Sequence, residues 1–126
     1  MKYALKIYKD LVYAEVVGQG KATVDDFKQI THELISHPLF VFGINFLHDY
    51  RDIYVGHLTV DEVKSIADMV SSNRKVLGNG RWAILVNNDL NFGMGRMWEI
   101  LVSDDVELEI RVFKDESETL GWIKGS

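Results

Sequence analysis

The apolar residues of this chain switch repeatedly between a spacing of two and a spacing near 3.6, and that alternation restricts the fold more than any single residue does. Tyr3, Leu5 and Ile7 alternate with Lys2 and Lys6, and after Lys9-Asp10 a second extended run, Leu11 to Val17, closes at Gly18-Gln19-Gly20. These two runs predict a hairpin. Thr23 then stands as a helix cap with Asp26 three residues on, and Val24, Phe27, Ile30, Leu34 and Ile35 form one apolar face that Pro38 ends. Residues 41–49 are apolar on both faces and predict a central strand. Thr59 and Glu62 open a second helix with the stripe Val60, Val63, Ile66, Ala67 and Val70, ending near Gly78-Asn79-Gly80. Arg81 to Val86 reads as a strand and Asp89 to Leu101 as a short helix. Val106 to Val112 reads as a strand whose wet side carries Glu107, Glu109 and Arg111, and Asp115 to Ile123 as a last helix.

The order β-β-α-β-α-β-α-β-α predicts an α/β fold. It begins with an N-terminal hairpin, continues through βαβαβα units, and forms a mixed, mostly parallel five-stranded sheet with about four helices. With one proline and no Ser/Gly/Pro tract or repeat, residues 1–126 read as a single domain. The absence of cysteine removes thiol catalysis, zinc-thiolate sites and iron-sulfur clusters. Fourteen Lys and Arg against 19 Asp and Glu give a net charge of −5 with no basic run, which argues against nucleic acid as a partner. No apolar stretch is long enough for a membrane span or a signal core, so a cytoplasmic location is the expectation.

The densest polar cluster is His48, Asp49, Arg51, Asp52 and His57, expected as a turn at the carboxyl end of the central strand, where open α/β sheets place their sites. His48 and Asp49 are adjacent, so on a strand they point to opposite faces, and the cluster is a poor metal set. Arg51 between two aspartates reads as a pin for the turn, and the turn as a whole as a partner-facing or ligand-binding feature. His32 and His37 read as surface histidines. In Gly93-Met94-Gly95-Arg96-Met97-Trp98, Trp98 occupies the place of the third glycine of a dinucleotide fingerprint. That segment reads either as core or as an apolar contact surface formed by Phe92, Met94, Met97 and Trp98 beside Arg96. On the second reading, Trp98→Ala and Met94→Asp disrupt binding more than folding. No nucleophile-base-orienter set or carboxylate pair stands at usable spacing, so no catalytic residue and no cofactor is expected.

The hairpin followed by three strand-helix units, the segment His48-Asp49-Tyr50-Arg51-Asp52, the segment Asp89 to Met97 and the closing Glu109 to Phe113 with Asp115 to Trp122 resemble the SpoIIAA-like group of the STAS superfamily. The resemblance implies a non-catalytic regulatory or interaction domain, binding a protein partner or itself as a homodimer. In the phosphorylation-switched members of that superfamily the modified serine lies in an Asp-Ser-Ser-Gly-like stretch at the start of the helix after the central strand. The matching region here, Tyr54 to Glu62, has no Ser-Ser-Gly and offers only Thr59. A helix N-terminus favours phosphate, whereas Asp61 and Glu62 repel it and Glu62 completes a capping box. The similarity of this group to CRAL-TRIO domains implies an alternative, a carrier or sensor of a small apolar, lipid-like ligand held near Phe42, Phe46, Met94 and Trp98.

Overall fold

In the computed structural model, which describes residues 1–10 and 13–125, β1 (Lys2–Tyr8) and β2 (Tyr13–Lys21) pair antiparallel. Leu11 and Val12 of the second extended run lie outside the described residues. Three parallel strands follow, β3 (Asn45–Tyr54), β4 (Arg81–Leu85) and β5 (Glu109–Phe113), and the sheet order is β1-β2-β3-β4-β5. The connections are α1 (Val24–Ser36), α2 (Val60–Ser72) with the four-residue α3 (Arg74–Leu77), and α4 (Asp89–Ser103). The chain ends in α5 (Glu116–Ile123).

This topology decides which face each helix covers. The steps β2→β3, β3→β4 and β4→β5 all advance in one direction, so crossovers of one hand put α1, α2 and α4 on the same face. There they bury Phe46, Tyr50, Trp82, Ile84 and Ile110. Since α5 follows the last strand, it is no crossover and packs on the opposite face, over Leu47, Ala83, Leu85 and Phe113. Both predicted capping boxes form. Thr23 Oγ1 accepts from Asp26 N–H at 3.2 Å and Thr59 Oγ1 from Glu62 N–H at 3.1 Å, with each acidic side chain accepting from the cap N–H in return. Among the described residues, no helix is long and apolar enough to cross a membrane.

Three boundaries depart from the sequence reading. The central strand begins at Asn45, not at 41, because Gly43 takes a left-handed conformation (φ 86°) that ends any extended run before it. Val41 and Phe42 are therefore exposed. The same strand runs on to Tyr54, so His48 to Asp52 are strand residues rather than a turn. The last strand begins at Glu109, since its neighbour β4 begins at Arg81, the partner of Glu109, and residues 106–108 have no ladder to join. In α2, Val60 is exposed while Val63, Ile66, Ala67 and Val70 are buried.

A bulge in β3 shifts its alternation. Val17 pairs with Asp49 but Gln19 pairs with Asp52, so β3 carries one extra residue opposite Gly18. Tyr50 and Ile53, three apart, consequently both face the helices. A side chain at position 18 would crowd them: a Cβ there would lie 3.2 Å from Ile53 Cγ2 and 3.4 Å from the Tyr50 ring.

Candidate functional site

Strand alternation aims Phe46, His48 and Tyr50 at the helices and Leu47, Asp49 and Arg51 at α5. His48 is 2% exposed, with its ring stacked on Trp82 (centroids 4.7 Å apart, planes at 9°) and Nδ1 2.8 Å from the Tyr50 hydroxyl. Tyr50 meets Phe27 of α1 edge-on, and Trp82 packs against Trp98 of α4 at 5.3 Å. Burial lowers the His48 pKa from 6.5 to about 3 and pushes the Tyr50 hydroxyl well above its ordinary value, so both are neutral. A phenol is the better donor and an imidazole nitrogen the better acceptor. The Tyr50 O–H is therefore assigned as donor to Nδ1, which leaves the His48 proton on Nε2.

Nε2 of His48 and Nε1 of Trp98 are buried, and neither has a hydrogen-bond partner among the described residues. An unpaired buried donor costs about 1–3 kcal/mol, and the two rings that carry these nitrogens each pack against Trp82. Both side chains line a cavity of about 100 Å³ between the sheet and α1, α2 and α4. No charged residue lines it. Ile30, Ile53, Val63, Ile66, Trp82 and Ile84 make most of its wall, and the half-buried Phe27, Leu58, Met69 and Met94 form its rim. Its other polar side chains are satisfied within the protein: Thr31 Oγ1 donates to Phe27 O (3.1 Å), and Asn91 Nδ2 donates to Ile53 O (3.0 Å), tying α4 to β3. The volume is about two thirds of the ~150 Å³ apolar cavity that takes up benzene in another protein, so it leaves room for a guest no larger than a small ring unless the half-buried side chains move.

The remaining expected site residues do not join this cavity. On the opposite face Arg51 makes a two-pronged pair with Asp49 (Nε–Oδ1 2.9 Å, Nη2–Oδ2 2.7 Å) and reaches Glu116 of α5 through Nη1 at 2.8 Å. Its hydrogen bonds with Asp49 raise its pKa further. The cluster pins α5 to β3, while Asp52 is exposed. His57 Nε2 lies 2.6 Å from Ala22 O, so Nε2–H donates there and holds the β3–α2 loop against the start of α1, with its ring stacked on Tyr54. Thr59 caps α2. His32 is exposed, and His37 Nδ1 accepts from Leu39 N–H.

Of the residues named in segment 92–98, Trp98 is buried and Phe92, Met94 and Met97 are half-buried. Trp98 is 7% exposed, and Phe92, Met94 and Met97 pack against the main core. Only Arg96 of that group is exposed, and it pairs with Glu99 at 2.8 Å. Trp98→Ala therefore removes core volume and tests folding before it tests binding. Phe42, expected beside the ligand, is 65% exposed and does not line the cavity, nor does Phe46. Tyr50, Trp82 and Asn91 do, and none of them was marked as a cavity residue by its spacing. The local signals were a tyrosine beside a histidine in a buried strand and an indole opening the next one.

Among the described residues no group of three His, Cys, Asp or Glu is placed to hold a metal. No protein-family model matches this chain, and no curated protein matches it in sequence. Among solved structures it is similar to an uncharacterized protein from the DUF3478 family with a SpoIIAA-like fold from Shewanella loihica PV-4. The identity is 19% and the TM-score 0.62, over 97% of this chain and 92% of that one. At that identity the likeness establishes the fold. This chain has the SpoIIAA-like α/β fold, with five helices among the described residues where about four were expected, because α3 is set off from α2 at Asn73.

Proposed function

We propose that this domain binds a small, uncharged, mostly apolar molecule between its sheet and helices, and does so without chemical conversion. The observation that carries the reading is the cavity between the sheet and α1, α2 and α4, walled mainly by apolar side chains and by no charged residue among those described. Among the described residues, Tyr50 is the one side chain that hydrogen-bonds His48, and no carboxylate faces the imidazole. The ring is thus held neutral as a donor rather than poised as a general base.

A STAS-type interaction role, with self-association, rests on the fold together with one surface feature, the exposed Leu39, Val41 and Phe42 between α1 and β3. Native mass spectrometry separates the two readings. The expected spectrum is a complex with a small neutral mass that denaturation releases. A dimer that carries no small molecule would favour the interaction role and count against the cavity.

A further inference from the structure

We propose that two copies of this chain associate through the free edge of β5, which pairs antiparallel with itself in the register that sets Glu109 of each copy opposite Arg111 of the other. The contact lies outside the cavity, which no β5 residue lines, and is independent of the ligand reading. β5 ends the sheet order β1-β2-β3-β4-β5, and its hydrogen bonds fix which backbone groups face outward. Glu109 N–H donates to Gly80 O at 3.0 Å and Phe113 O accepts from Val86 N–H at 2.9 Å, so residues 109, 111 and 113 turn their backbone groups toward β4. Ile110 and Val112 turn theirs the other way, where no strand lies among the described residues. Such a row of unpaired N–H and C=O groups is a template for another strand.

Charge selects both the occupant and the register. Glu109 and Arg111 are exposed, stand two apart on one face of the strand, and have no ion-pair partner among the described residues. Outward-facing residues must meet outward-facing residues, so the antiparallel pair centres on Glu109, Ile110 or Arg111. Centred on Arg111, two guanidinium groups oppose each other, and centred on Glu109, two carboxylates do. Centred on Ile110, Glu109 meets Arg111 of the second copy at both ends, at non-hydrogen-bonded positions where Cβ atoms stand about 4.5–5.5 Å apart. The opposite edge of the sheet, β1, carries charges of one sign only, Lys2 and Lys6, and offers no such match. The same register sets Leu108 opposite Val112 of the second copy and so supplies the ladder that residues 106–108 lack beside β4. Those three residues already continue the alternation of β5, with Val106 half-buried, Glu107 exposed and Leu108 buried.

The test is sedimentation velocity of the full chain over a range of concentrations, for wild type, Glu109→Arg, Arg111→Glu and the double variant that exchanges the two residues. Circular dichroism first checks that each variant folds. Wild type is expected to dimerise. Each single variant sets like charges opposite each other and is expected to weaken the dimer by about tenfold. An equimolar mixture of the two single variants restores opposite charges at both positions, and it is expected to dimerise as wild type does, as is the double variant. Amide exchange in wild type provides a readout that needs no variant. Exchange at Ile110 and Val112 is expected to slow as concentration rises, while the amides of β1 keep their rates. A monomeric wild type, a dimer indifferent to either single substitution, a mixture that associates no better than its components, or unchanged exchange at Ile110 and Val112 would each overturn the proposal. None of these results bears on whether the cavity takes up a small molecule, so the two readings fail separately.

Discussion

Protonating His48 would place a charge among Phe46, Tyr50 and Trp82, with no carboxylate among the described residues to balance it. The folded-state pKa near 3 against an unfolded value near 6.5 means that, as pH falls below about 6.5, the unfolded chain takes up a proton the folded chain refuses. Stability from this group is full above pH 6.5 and declines toward pH 3, by up to about 1.4 kcal/mol per pH unit. Urea unfolding of wild type and His48→Phe at pH 7 and pH 4.5 isolates the effect from the carboxylates that also titrate. The stability difference between the two proteins is expected to move by about 2 kcal/mol in favour of the variant at the lower pH. A difference that does not change with pH would show that the imidazole is not held neutral by burial. The sequence placed His48 and Asp49 on opposite strand faces, and that held. It could not show which face was dry, because that depends on the helices packed from elsewhere in the chain.

The two glycines of α4 show how a local motif divides into separate roles once the element is packed. A Cβ at Gly93 would meet nothing within 4 Å, whereas one at Gly95 would lie 3.2 Å from both Val112 methyls, where α4 crosses β5. Gly93→Ala is therefore expected to stabilise the protein by about 0.5–1 kcal/mol through helix propensity and lost unfolded-state entropy. Gly95→Ala should forfeit that gain or lose stability against crowding. Thermal unfolding of the two single variants checks the contrast, and equal stabilisation by both would mean that α4 does not approach β5 closely at Gly95. Helix starts were readable because Thr23-Asp26 and Thr59-Glu62 are local pairs, each closing its own reciprocal bonds. The facing of α4 was not. Apolar residues circle much of that helix, and Leu90 and Ile100 are exposed while Trp98 is buried. The register of β3 past Asp49 was equally hidden, since its bulge answers Gly18 on another strand.

For the whole molecule, alternating strand and helix periods were enough to imply a mostly parallel sheet, because short crossovers of one hand leave few other arrangements. The one-sided stack of α1, α2 and α4 follows from the same rule. The cavity did not follow, because its walls are drawn from β3, β4 and three helices, from residues as distant as Ile30 and Trp98. The three tryptophans report on this arrangement directly. Trp82 and Trp98 border the cavity, while Trp122 lies on the other sheet face against Phe113 and the Arg81 and Arg111 guanidinium groups. In a ¹H–¹⁵N spectrum of labelled protein titrated with benzene, the indole signals of Trp82 and Trp98 are expected to shift together and saturate while that of Trp122 stays in place. Unmoved Trp82 and Trp98 signals, or a shift confined to Trp122, would contradict a ligand site between the sheet and its three crossover helices.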